Sequence, residues 1–275
     1  MPLALFDSHC HLDDEQYDTD RDAVFQRATR DGISDIVLPA VTRSTWQKNL
    51  DTALMYPRTH AALGLHPLYM DEHADTDLME LEQHLQLRSI VAIGECGLDG
   101  SAEARPRAEQ EHCLEAQLQL AHRVDLPVIL HARAAVEAVY LALRRSRVHQ
   151  GVVHSFNGSE QQAHRIIDQG LYLGFGGAIT YPRASRLRQL VSRLPLDCLV
   201  LETDAPFQTG CRNSGKRNEP AWLVEVLETV SALRDEPAEE IAAATHANAC
   251  RLFRLNASDG PDHDGPESDA TVSLH

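Results

Sequence analysis

An α/β chain closed into a (β/α)8 barrel is the fold this sequence predicts, on three observations. Eight short apolar runs alternate with amphipathic segments of helical period. The runs are too uniformly apolar to face water on one side, as expected of a parallel sheet covered by helices. The chain's 275 residues suit one such barrel. A doubly wound open sheet is the alternative, weakened because no Gly-x-Gly-x-x-Gly opens the first helix.

Taken in order, the strands are expected at residues 3–6, 36–38, 61–65, 90–93, 128–130, 152–153, 171–175 and 199–201. Helices are expected between them at 22–30, 44–56, 78–87, 107–124, 134–145, 160–169 and 184–194. Gly32 and Gly170 each follow a helix where a left-handed residue is wanted, and Pro195 stops the last of these helices. Two more helices, at 221–233 and 238–255, are expected to complete the wall. Residues 1–256 therefore read as one barrel domain, with no repeat and no linker. Residues 257–275, rich in Asp, Gly, Pro and Ser, read as an acidic disordered tail.

Composition narrows the function. The formal net charge of −16 argues against a protein that coats nucleic acid with a broad basic field. Any phosphate substrate has to be held locally, by metal ions or a few arginines. No stretch is long and apolar enough to span a membrane, and the N-terminus lacks a signal-peptide pattern, so a cytoplasmic location is expected. The six cysteines are scattered and read as mostly buried, reduced thiols. Oligomeric state is open, with a monomer compatible.

The chemistry sits where the apolar runs end, which in a (β/α)8 barrel is the active-site face. Strand one leads to His9 and His11, whose spacing in an extended chain points both imidazoles to one side. His66 follows strand three, Glu95 and Asp99 follow strand four, and His131 and Arg133 follow strand five. His154 follows strand six, and Glu202 and Asp204 follow strand eight. Four imidazoles (His9, His11, His131, His154) and two carboxylates (Glu95, Asp204) suffice for two divalent metals, provided one carboxylate bridges. Glu95 is the expected bridge, since strand four lies between the two histidine pairs. Asp204 is then expected to bind the first metal and take a proton from the attacking water. Histidine-rich ligation favours Zn, Mn or Fe over Mg. Arg133 and Arg217 are candidate phosphate clamps, with structural ion pairs to Glu202 and Glu219 as the equal alternative. With aromatics at only 5% of the chain, no platform for stacking bases is evident.

These residues carry a resemblance. Asp7-Ser8-His9-Cys10-His11-Leu12-Asp13, Gly64-Leu65-His66-Pro67, Gly94-Glu95-Cys96-Gly97-Leu98-Asp99, Leu130-His131-Ala132-Arg133, His154-Ser155-Phe156-Asn157-Gly158, Glu202-Thr203-Asp204-Ala205-Pro206 and Arg217-Asn218-Glu219-Pro220 resemble the motifs of the TatD family of metal-dependent hydrolases. The ordered match covers roughly residues 4–255, and Thr180-Tyr181-Pro182-Arg183-Ala184-Ser185 resembles the YjjV-like branch of that family. The resemblance implies an amidohydrolase-like TIM barrel with deoxyribonuclease activity. It implies His9, His11 and Asp204 on one metal, His131 and His154 on the other, and Glu95 between them. His66 and Glu202 match positions near the scissile group. Gly100 stands where an aromatic is frequent, and Ala134 and Ala135 where a polar residue is usual, so contacts to a polymer strand are less secure than hydrolysis itself.

The sequence therefore supports a two-metal phosphodiesterase acting on DNA, single-stranded or at an accessible end. A hydrolase of a small ester, lactone or amide is the alternative, and a non-catalytic metal-binding partner protein the remote one.

Overall fold

Local patterning sets where the elements start and stop. The computed structural model describes residues 3–86, 89–101 and 103–255; the predicted acidic tail lies outside them. Helix α6 (Glu160–Asp168) begins at a capping box: Gln162 N–H donates to Ser159 Oγ at 3.2 Å, and Ser159 N–H to Gln162 Oε1 at 3.0 Å. Gly32 and Gly170 close α1 (Arg21–Arg30) and α6 in the left-handed region, at φ 97° and 95°.

The strands are β1 (Leu5–Asp7), β2 (Ile33–Pro39), β3 (Thr59–Leu63), β4 (Ile90–Asp99), β5 (Val128–Arg133), β6 (Gly151–Val153), β7 (Tyr172–Phe175) and β8 (Leu199–Leu201). They pair in parallel, in chain order, as one eight-stranded sheet. The remaining helices are α2 (Arg43–Met55), α3 (Asp77–His84), α4 (Arg107–Val124), α5 (Val136–Ser146), α7 (Ser185–Arg193), α8 (Leu223–Leu233) and α9 (Ala238–Phe253). The seam between β8 and β1 is bridged by main-chain bonds from Ser8 N–H to Leu201 O (3.0 Å), from Asp204 N–H to His9 O (2.8 Å) and from His11 N–H to Ala205 O (2.7 Å). The barrel expected from the apolar runs is the observed fold.

Strands β4 and β5 extend further than their apolar runs. They pair through Cys96–Leu130, Gly97–His131, Leu98–Ala132 and Asp99–Arg133. The main-chain ladder is indifferent to side-chain polarity, so it continues past the point where hydrophobicity stops marking it. Gly97 permits this: its φ is 146°, and a Cβ there would lie 2.0 Å from His131 O. The catalytic-face residues of both strands are thereby held by sheet hydrogen bonds rather than left on loops.

Two apolar layers hold the barrel. The inner one joins Phe6, Val37, Ala62, Ala92, Ile129, Val152 and Val200 from the strands. Ala249, Leu252 and Phe253 of α9 belong to the same inner cluster, so α9 closes the amino end of the barrel as well as completing its wall. The outer layer packs the helices on the strands through residues such as Leu38, Leu63, Leu114, Val139 and Leu173. Each such side chain contributes about 1.5–3 kcal/mol on burial. The six cysteines are free, with Cys211 exposed and the rest buried. Among the described residues no helix is long and apolar enough to cross a membrane.

Candidate active site

The two rim histidines of strand β1 are set by a buried carboxylate that sequence reasoning passed over. Asp7 accepts from Thr203 N–H (2.9 Å), Thr203 Oγ1–H (2.6 Å) and His9 N–H (3.3 Å), which ties the end of β1 to the end of β8. Burial pushes its pKa up to about 8 against those three donors. Cys10 between the histidines turns its sulfur to Ala205 O, away from them, as the extended spacing required.

Glu95 on β4 is the centre of the site. It is 3% exposed, and five imidazole nitrogens surround its carboxylate. Oε2 lies 3.2 Å from His9 Nε2 and 3.7 Å from His11 Nε2. Oε1 lies 3.0 Å from His66 Nε2, 3.0 Å from His131 Nδ1 and 2.8 Å from His154 Nε2. Asp204 Oδ1 completes the His9/His11 side at 3.5 and 3.4 Å. Burial favours the neutral acid, yet the charges of His154, His66 and His9 hold the Glu95 carboxyl well below its usual range. At His11 burial opposes the cation, but the hydrogen bond and charge of Asp204 push its pKa up to about 9. The fold brings the six expected ligand residues together at one rim and sets His66 in direct contact with Glu95. The Nδ1 of His66 also caps the following turn, accepting from Leu68 N–H at 3.1 Å. His73 braces this loop with Nε2 2.9 Å from His66 O.

The donor set fits divalent cations, and Asp99 gives the reason. Its Oδ2 lies 2.7 Å from His131 Nε2, so that nitrogen carries the ring proton. In the neutral ring the lone pair is then on Nδ1, facing Glu95 Oε1 and, at 3.3 Å, His154 Nε2. On the other side His9 Nε2 and His11 Nε2 stand 3.2 Å apart, both facing carboxylate oxygens. Lone pairs converging in a buried site repel unless a proton or a cation lies between them. Among the described residues three groups have ligand atoms mutually within 4.8 Å: His9–His11–Glu95, His66–Glu95–His131 and His9–His154–Glu202.

Glu202 lies beneath His154, its Oε1 accepting from Ser155 N–H and sitting 3.7 Å from His154 Nδ1. Gly174 makes room for it, since a Cβ there would meet Glu202 Oε2 at 2.2 Å. Backbone strain collects at this rim. Ala134, Ser155, Asp204 and Gln208 all line the pocket, and all have φ between 46° and 54° despite having side chains.

The two arginines separate. Arg133 is exposed at the pocket wall, with no side-chain partner among the described residues. Arg217 does not reach the pocket. Its guanidinium lies 2.9 and 2.7 Å from the two oxygens of Asp20, covers the Tyr17 ring at 4.5 Å and stands 3.7 Å from Glu219. Asp20 was not weighed as its partner, because 197 residues separate the pair in sequence. The pocket over the site holds about 860 Å³. At its mouth stand Tyr69, edge-on to His66 at 5.6 Å, and Phe207, edge-on to His11 at 5.8 Å. A 5% aromatic content gave no hint that two rings would be placed here.

An eight-stranded barrel with imidazoles gathered around one buried carboxylate at its C-terminal rim has the form of a metal-dependent hydrolase. Comparison with known proteins makes the class specific. Residues 6–254 match the family profile described as "TatD related DNase", and the chain belongs to the TatD family. It is 41% identical over 258 residues to the uncharacterized metal-dependent hydrolase YjjV of Escherichia coli, spanning 93% of this chain and 100% of that one. It is 37% identical to a protein of Cronobacter sakazakii named 3'-5' ssDNA/RNA exonuclease TatD, over 92% of this chain and 99% of that one. The crystal structure of Escherichia coli YjjV superposes with a TM-score of 0.89 over 92% of this chain and 98% of that one. The chain is a metal-dependent hydrolase of this family.

Proposed function

We propose that this hydrolase uses two divalent cations to cleave phosphodiester bonds of DNA, acting on single strands or accessible ends. The observation that carries the reading is the double-faced Glu95, with Oε2 toward His9 and His11 and Oε1 toward His131 and His154. A carboxylate presenting one oxygen to each histidine pair suits a bridge, with Asp204 joining His9 and His11. The relatives named single-strand DNA/RNA exonucleases support the substrate class. The imidazole-rich set favours Zn, Mn or Fe over Mg.

Cations held there supply charge that neutralises the phosphate oxygens and acidifies water. This chain's residues do the rest. Asp204, held by the Gln208 side chain, takes the proton of the attacking water. His66 contacts the scissile group, a role supported by its position at the pocket wall 3.0 Å from Glu95. Glu202 keeps His154 oriented from below, and Asp99 does so for His131. Arg133 holds a phosphate oxygen, a role supported by its exposure at the pocket wall.

The test is a time course on an end-labelled single-stranded oligonucleotide, with stripped protein resupplied with Mg, Mn or Zn and Glu95→Ala in parallel. Metal-dependent laddering that disappears in Glu95→Ala is the expected result. Intact DNA from folded, metal-loaded protein would remove the nuclease reading. The pocket's apolar lining by Val41, Leu68, Tyr69 and Phe207 favours a small ester, lactone or amide as the second reading, tested on a panel of such substrates.

A further inference from the structure

A second cleft, of about 700 Å³, opens beside the metal pocket, and Asn157 and Gln208 line both. Its far wall is the segment from Tyr181 to Leu187, including Arg183 and Arg186. The surroundings are unusual for a chain with 41 acids and 25 basic residues. Residues 169–196 contain four arginines and no Asp or Glu.

Many arginines elsewhere on the surface are taken up by carboxylates, as in Arg145–Glu115 (2.5 Å), Arg165–Glu137 (2.9 Å) and Arg123–Glu82 (2.9 Å). The two cleft arginines have no carboxylate partner among the described residues. Arg183 lies over the Tyr181 ring at 5.1 Å, a contact that fixes the guanidinium plane and leaves its N–H edge open. Tyr181 is itself anchored by its hydroxyl donating to Thr209 O at 3.0 Å. Arg186 donates to Asn157 O (3.0 Å) and Oδ1 (2.5 Å), which neutralises none of its charge. Both guanidiniums are thus preoriented by neutral groups and keep their full charge. That is the arrangement needed to receive an anion, because no ion pair has to be broken first.

We propose that this cleft is a backbone subsite for a polyanionic strand, in which a phosphate neighbouring the scissile one lies between Arg183 and Arg186. The assignment rests on the nuclease reading and deepens it: the substrate is a polymer, held beyond the bond that is cut. It also explains how an acidic protein holds nucleic acid, through a short local track.

The experiment uses the full-length, metal-loaded protein and a fluorescein-labelled ten-residue oligothymidylate with cleavage-resistant phosphorothioate linkages. Fluorescence anisotropy compares the wild type, Arg183→Ala/Arg186→Ala and Arg183→Lys/Arg186→Lys. The alanine pair is expected to weaken binding about 10- to 100-fold. It should also make the salt dependence shallower by about 0.7 logarithmic units per decade of salt, the value for the one single-strand phosphate that is no longer neutralised. The lysine pair should recover most of the affinity. Hydrolysis of bis(p-nitrophenyl) phosphate, which has no neighbouring phosphate to seat in the cleft, should be unchanged in all three. Equal affinity of wild type and alanine pair, no binding by the wild type, or an equal loss on the small ester would each overturn the subsite. Tight, arginine-dependent binding by a protein that leaves unmodified DNA uncut would instead sink the nuclease reading while the subsite stands.

Discussion

The barrel holds buried histidines and carboxylates at both ends, and the two clusters are built on opposite principles. At the amino end Asp35 of β2 is 1% exposed. Its oxygens take His60 Nε2 at 3.0 Å, Arg58 Nη2 at 2.8 Å, the Ser34 hydroxyl at 2.9 Å and His246 Nε2 at 3.5 Å. One carboxylate is saturated with donors, and the His60 and His246 rings pack on Phe6. At the carboxyl end Glu95 faces five imidazoles, but Asp99 occupies the outer nitrogen of His131 and directs its inner one toward its neighbours. The floor satisfies itself with protons and packing, whereas the rim turns imidazole nitrogens and carboxylate oxygens toward one another. Histidine count does not separate structure from chemistry here; the direction of the lone pairs does.

The largest expected effect that sharpens this contrast is at the rim. Asp204→Asn should keep the fold and lower kcat by about 10³-fold or more, within the range a positioned general base supplies. Circular dichroism and steady-state hydrolysis would read both, and full activity in that variant would remove Asp204 from the chemistry.

The floor should respond in stability instead. Asp35→Asn strands two histidines and an arginine around a neutral amide, and about 3 kcal/mol of unfolding free energy should be lost in urea titrations. The kcat of the folded variant should stay within about twofold, well under the 10²-fold or more expected of a catalytic proton carrier. Burial pushes the Asp35 carboxyl up, but His246, His60, Arg58 and Ser34 together hold it well below the usual carboxylate range. Its stabilising contribution is therefore present above the unfolded value near 3.9 and is lost as pH falls through the lower folded value. Wild type should lose more stability than Asp35→Asn on acidification below about pH 4. Parallel acid limbs in the two proteins would erase the distinction between floor and rim.

The smallest expected effect tests the direction of the lone pairs itself. Asp99→Asn leaves the metal-facing atoms in place but loosens the His131 ring, so metal affinity should fall by about 10- to 100-fold. Excess metal should restore the rate. A loss that no metal concentration restores would give Asp99 a different role.

How much of this was legible follows from the kind of signal each feature leaves. The eight strands were readable because burial on both faces leaves continuous apolar runs. The rim residues were readable because each directly follows such a run, as His9, Glu95, His131, His154 and Asp204 do. The ends of β4 and β5 were not, because backbone pairing there passes through Gly97, His131 and Arg133 without any hydrophobic mark. Asp7 was passed over because one buried acid in an apolar run resembles many exposed ones until Thr203 is brought beside it. Arg217 was undecided for the same reason, since its partner Asp20 lies far off in sequence.

The sequence alone determined the barrel, its family and the set of groups at its rim, because those depend on period, order and residue type along the chain. Tertiary structure alone decided that the rim imidazoles converge on Glu95 and that His60 and His246 close on Asp35 at the floor. It also decided which arginine is spent in an ion pair and which stay open in the cleft. Those outcomes depend on distances between residues far apart in sequence, and charge, lone-pair direction and desolvation act through space rather than along the backbone.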